Sequence, residues 1–113
     1  MTEKGAKYLS DIIQAIELID EFTQDINSFS KYSFDLKTQS AVERQSSIVG
    51  EAVNKYDNIE SDEKLENARK IVGFRNRLVH AYDSIDASIV WVIIKNYLST
   101  LKQEAVIKFN SYN

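Results

Sequence analysis

The chain has 113 residues, of which 43% are hydrophobic and 27% charged, and its formal net charge is −3 at pH 7. That length fits one domain, which can bury roughly two thirds of the surface its unfolded chain exposes and so needs no metal or disulfide staple. The absence of cysteine excludes disulfides, thiolate metal sites and a cysteine nucleophile, and the absence of proline removes the commonest helix breaker.

Tyr8, Ile12, Ala15, Ile16, Ile19, Phe22 and Ile26 recur at spacings of three and four, the apolar stripe of a long amphipathic first helix. A polar and aromatic link, Asn27 to Ser33, leads to a second helix over about 36 to 56, with the stripe Val42, Gln45, Val49, Ala52, Val53 and Tyr56 and with Asp35 as its cap. After the turn Asp57 to Asp62, a third helix is expected from Leu65, Ala68, Ile71, Val72 and Leu78, with Asp62 capping its start. Asp83 to Asp86 reads as a turn into a fourth helix that continues through Tyr97, Leu98, Leu101, Ala105 and Val106 to about Phe109. Short links between such helices predict an all-α, up-and-down bundle of four or five helices.

The run Ile89-Val90-Trp91-Val92-Ile93-Ile94 is the longest apolar stretch, far short of a membrane span, and the N-terminal residues are polar. The protein is therefore expected to be cytoplasmic. The same run covers the whole circumference of a helix, so it should face its own core and something else, most simply a second subunit.

Chemistry concentrates in Ala68 to Tyr82, which holds no acidic residue but carries Arg69, Lys70, Arg75 and Arg77 beside the single histidine, His80. Acidic residues precede it at Glu60, Asp62 and Glu63, and such segregation favours an anionic ligand such as RNA phosphate, though on charge alone a solvated cationic face fits as well. Asn76 and His80, four apart, share a helix face, so the amide can orient the imidazole. Arg75 and His80, five apart, stand about 140° apart around a regular helix and converge only at a bend, at a helix end or with help from a second chain. Metal-free RNA cleavage by the 2′-hydroxyl works best with one group taking a proton and another giving one, and two-fold symmetry would supply the second histidine. In such a dimer His80 serves as base or acid, Arg75 stabilises the transition-state charge and Tyr82 positions a phosphate or base. The plainer reading leaves His80 packed at a helix end.

Arg75-Asn76-x-x-x-His80-x-Tyr82 is similar to the Arg-x4-His-x-Tyr signature of HEPN-superfamily ribonucleases. Val42-Glu43-Arg44 with Ile48 to Ala52, then Gly73 to His80, then Ile85-Asp86-x-x-x-Val90-Trp91, resemble in order the pattern of HepT-type toxins over most of the chain. Ala81 and Asp83 depart from the pattern, where relatives often carry an acidic and an aromatic residue. The resemblance implies one HEPN-like helical domain over 1–113 and a homodimer with a metal-independent, cofactor-free ribonuclease site between the chains, with RNA of the tRNA type as substrate. It also implies a partner, an MntA-type nucleotidyltransferase that neutralises the toxin by transferring AMP to the motif tyrosine, here Tyr82. No DNA or membrane partner is expected. Arg75 and His80 take the catalytic roles, with Asn76 orienting and Arg69, Lys70 and Arg77 contacting RNA. Arg44 and Glu51, seven apart on one helix face, are supporting candidates or simply an exposed charge pair.

Two other readings use the same residues. A non-catalytic subunit could present nucleotide or RNA to a minimal nucleotidyltransferase, or a structural dimer could use Arg75 and His80 as interface residues. A metal enzyme fits worst, because the carboxylates from Asp57 to Glu66 lack a ligand spacing.

Overall fold

The computed structural model describes residues 1–69, Ile71, Gly73 and residues 86–112, and every described element is helical. α1 runs Glu3–Thr23, α2 Phe29–Ser33, α3 Leu36–Ile59, α4 Ala87–Asn96 and α5 Leu98–Asn110. The backbone is also helical at Arg69, Ile71 and Gly73. The expected all-α class is therefore the class observed. α1 packs along α3 on one side and α5 on the other, while α2 bridges α3 and α4.

Each of the first three helices begins where a short polar side chain captures an otherwise unpaired N–H. The Thr2 hydroxyl accepts the Gly5 N–H at 3.0 Å. Ser28 does the same for Lys31 at 3.2 Å. Asp35, the expected cap of the second helix, accepts the Thr38 N–H at 3.0 Å and its hydroxyl at 2.7 Å. The end of α3 is tied back to the start of α1, since Glu60 Oε2 accepts the Thr2 N–H at 3.1 Å. Gly5 makes room for this, because a Cβ there would lie 2.8 Å from the Glu60 carboxylate.

The core is built from the predicted stripes, except that in α3 Ser46 is fully buried while the expected Gln45 is only half-buried. Leu9, Ile12, Ile16 and Ile19 of α1 meet Val42, Val49, Val53 and Tyr56 of α3, and all are fully buried. Each large apolar side chain so buried contributes about 1.5–3 kcal/mol. Leu98, Leu101 and Ala105 close the core from α5.

Further expectations need correction. α1 stops at Thr23; Phe22 within it is 37% exposed, and Ile26 lies beyond the helix, packed on the core. Thr23 takes the buried position instead, its hydroxyl donating to the Ile19 carbonyl at 2.8 Å. The polar link between the first two long helices contains α2, which buries Tyr32 completely. The third helix does not begin at Asp62, because residues 61–68 are turn and loop and the backbone turns helical at Arg69. Leu65 and Ala68 are buried all the same. Finally, the expected fourth helix is two helices, broken at Tyr97, whose φ of −123° and ψ of −30° leave the helical range. The β-branched residues Ile89, Val90, Val92, Ile93 and Ile94 form helix less readily than unbranched ones. The break turns Leu98 and Leu101 onto α1.

The run Ile89 to Ile94 is unevenly buried. Val90, Ile93 and Ile94 enter the core, while Trp91 packs on Tyr32 of the same chain with ring centroids 5.3 Å apart. Val92 is 47% exposed. No described helix is long and apolar enough to cross a membrane.

Candidate functional site

The segment that carries the chemistry is entered through a loop held by two carboxylates from elsewhere in the chain. Asp57, near the end of α3, accepts the Leu65 N–H at 2.9 Å. Glu104, in α5, accepts the Glu66 N–H at 2.8 Å and the Asn67 N–H at 3.0 Å, and also the Asn67 side-chain amide at 3.1 Å. The work that a local Asp62 cap was expected to do thus falls to side chains 8 and 37 to 38 residues away. Glu104 was not singled out from the sequence, because nothing local distinguishes it from other polar helix positions, and Asp57 was read as the start of a turn, whereas α3 continues through it to Ile59.

Beyond this clamp Ala68 and Ile71 are buried at 2% and 1% exposure, which anchors the start of the helical turn, and Arg69 between them is exposed. Asn54, Asp57, Leu65, Glu66, Ala68 and Arg69 line a depression of about 500 Å³, with apolar Leu65 and Ala68 beside charged Asp57, Glu66 and Arg69. On the far side of the segment Asp86 caps α4, accepting the Ser88 hydroxyl at 2.6 Å and its N–H at 2.9 Å. These bonds hold the Asp86 carboxyl below its ordinary value. The described residues that flank the segment on either side thus both have a carboxylate accepting backbone N–H groups. Lys70, Arg75, Asn76, Arg77, His80 and Tyr82 lie outside the described residues.

Of the supporting candidates, Glu51 pairs with Lys55 at 3.3 Å across one helical turn, and both side chains are 53% exposed. Arg44 is exposed and has no hydrogen bond or ion pair among the described residues. The two do not pair with each other. Beside Arg44, Glu43 is half-buried and its carboxyl is pushed up by desolvation. Burial first, and then the charges of Glu43 and Asp35, raise the Tyr32 phenol well above its ordinary value. Among the described residues no three His, Asp or Glu side chains come together as a metal site.

The sequence pattern of the family described as "Ribonuclease HepT-like" matches residues 12–106, a stretch that includes the whole Arg75 to Tyr82 motif. The chain belongs to this family. It is 40% identical over 106 residues to a Thermococcus cleftensis protein named "Probable ribonuclease HepT", covering 90% of this chain and 93% of that one. It is 34% identical over 110 residues to "Putative RNase MJ1380" of Methanocaldococcus jannaschii, covering 95% of this chain and 99% of that one. No solved structure gives a significant match. In this HepT-like ribonuclease the loop clamped by Asp57 and Glu104 precedes the Arg75 to Tyr82 segment in sequence, and the Asp86 cap follows it.

Proposed function

We propose that this HepT-like ribonuclease is the toxin of a toxin–antitoxin pair, a cytoplasmic, metal-independent endoribonuclease that acts on RNA of the tRNA type as a homodimer. The observation that carries this reading is the family match over residues 12–106, within which Arg75, Asn76, His80 and Tyr82 stand in the spacing of the HEPN signature. In this mechanism His80 takes the proton of a ribose 2′-hydroxyl, whose oxygen attacks the adjacent phosphorus. Arg75 stabilises the charge that builds on the phosphoryl oxygens, and His80 of the partner subunit returns a proton to the departing 5′-oxygen. The products are a cyclic phosphate and a 5′-hydroxyl. Asn76 orients the imidazole, and Arg69, Lys70 and Arg77 hold flanking phosphates. Arg44 and Glu51 have at most supporting roles.

Control is assigned to Tyr82. AMP transferred there by an MntA-type nucleotidyltransferase would put bulk and negative charge beside Arg75 and His80, opposing RNA by sterics and repulsion.

The test is incubation of purified wild-type and His80→Ala protein with total tRNA in EDTA, with products separated on a gel. Cleavage by the wild type, reduced roughly 10²- to 10⁴-fold in His80→Ala, is the expected result. Arg75→Ala should lose cleavage while its sedimentation stays dimeric. Tyr82→Phe should resist AMP transfer. An unmodified wild-type dimer that leaves tRNA intact would overturn the nuclease reading in favour of a nucleotide- or RNA-binding subunit.

A further inference from the structure

The first half of α3 turns an unusual face to solvent. Lys37, Ser40, Arg44 and Ser47 follow one another at spacings of three, four and three, which makes one continuous stripe. Lys37, Ser40 and Arg44 are exposed and Ser47 is half-exposed. None of these four residues is acidic, in a chain whose net charge is −3, and the next residue on the same face, Glu51, is already paired with Lys55 at 3.3 Å. Glu43, beside Arg44 in sequence, is half-buried and acts on Tyr32. Asp35, the opposite charge near Lys37, is committed to the Thr38 N–H and hydroxyl as the helix cap.

At the head of this stripe stand two of the most exposed large apolar side chains among the described residues, Phe34 at 86% and Leu36 at 73%. Leaving a phenylalanine ring this open forfeits the free energy of its burial. A cationic, hydroxyl-bearing track that begins at a bare aromatic ring is the combination that single-stranded nucleic acid uses, phosphates on cations and a base on the ring. Lys37 and Arg44 lie about 10 Å apart along the helix axis, the reach of roughly three stacked nucleotides.

A second copy of the chain fits this face less well. A two-fold interface sets a patch against a copy of itself, which would add a second Lys37 and Arg44 to a face whose nearest exposed carboxylate, Glu51, is already paired with Lys55.

We propose that Phe34, Lys37, Ser40 and Arg44 form a binding path for a single-stranded segment of RNA, with Phe34 stacking a base and Lys37 and Arg44 holding phosphates. The choice of RNA rests on membership of the ribonuclease family, but the path is separate from the Arg75 to Tyr82 motif in sequence.

The experiment measures binding of a short fluorescein-labelled 2′-O-methyl RNA of mixed sequence, which lacks the attacking hydroxyl, to the full chain. Fluorescence anisotropy is followed in EDTA over a series of potassium chloride concentrations. Lys37→Ala and Arg44→Ala should each reduce the slope of log Kd against log salt by about 0.7, with Lys37→Arg restoring it. Phe34→Ala should weaken binding roughly five- to hundredfold at an unchanged slope, the effect of losing one stacked base. Wild-type affinity and slope in all three alanine variants, with helical circular dichroism intact, would overturn the proposal. Lack of probe binding by the wild type would also overturn it. A fall in sedimentation mass in Phe34→Ala with RNA binding unchanged would overturn it in favour of an interface between copies. Because the probe cannot be cleaved, failure here is distinct from failure of the nuclease reading, which shows as intact tRNA.

Discussion

Glu104 holds Asn67 through two hydrogen bonds, one from the backbone N–H at 3.0 Å and one from the side-chain amide at 3.1 Å, although 37 residues separate them. With the Glu66 N–H at 2.8 Å, a single carboxylate of α5 satisfies three donors of the loop that leads into the ribonuclease motif. Glu104→Ala should therefore cost about 1–2 kcal/mol of stability, the loop being exposed enough for water to replace part of the loss. On the mechanism proposed above, it should lower kcat for RNA cleavage more than it raises KM, because a displaced loop misplaces the proposed catalytic groups without removing RNA contacts. Glu104→Gln keeps an acceptor oxygen and should recover at least half of both effects. Urea titration with an unchanged m-value and steady-state kinetics check this.

Tyr32 and Tyr56 bury their hydroxyls with no hydrogen-bond partner among the described residues. Burial first, and then the charges of Glu63, Glu60, Asp57 and Glu104, push the Tyr56 phenol up to about 12. Between its unfolded value near 10 and that folded value, the unfolded chain releases the proton while the folded chain keeps it. Stability should then fall as pH rises through this window, by roughly 1.4 kcal/mol per pH unit for each such tyrosine. Tyr56→Phe should be neutral or slightly stabilising at pH 7 and should flatten the alkaline decline, as read from urea melts between pH 8 and 11.

The hydrogen bonds from Thr38 hold the Asp35 carboxyl below its ordinary value, so the ionised cap favours the folded chain. That contribution is complete above the unfolded carboxylate pKa near 4 and is lost as pH falls through the lower folded value. Asp35→Ala should lower Tm at pH 7, and the gap to wild type should narrow below pH 4. Thermal melts monitored by circular dichroism would show a gap independent of pH if the carboxylate did not carry the effect.

Trp91 is the chain's single tryptophan, packed at a tilt against Tyr32 of α2 and covered by the Lys95 ammonium 4.6 Å from its ring centroid. Its fluorescence therefore reports the α2–α4 contact. Lys95→Met should change the emission spectrum and cost about 0.5–1 kcal/mol, the usual worth of a cation–π pair at a partly exposed site. In the wild type, unfolding followed by Trp91 fluorescence and by far-ultraviolet circular dichroism should coincide, as expected when the α2–α4 contact melts with the core.

Much of this fold was legible along the chain. The stripes of α1 and α3 follow from the spacing of Ile12, Ile16 and Ile19 and of Val42, Val49, Val53 and Tyr56, because helical periodicity is written in neighbours three and four apart. Asp35 was readable as a cap for the same reason, since it acts on a residue three positions away. The ribonuclease family was legible as an ordered string, Arg75, Asn76, His80 and Tyr82, within the stretch that the family pattern matches.

What the tertiary structure alone decided involves partners far apart in the chain. Leu65 is buried without being helical because Asp57 and Glu104 satisfy the loop backbone around it. The break at Tyr97 accompanies the turning of Leu98 and Leu101 onto α1, and Tyr32 is buried because Trp91 of α4 covers it. Short-range spacing determines which faces are apolar. Which distant carboxylate captures a loose N–H, and which apolar ring is left bare at Phe34, depends on how the faces dock, and only the assembled chain settles that.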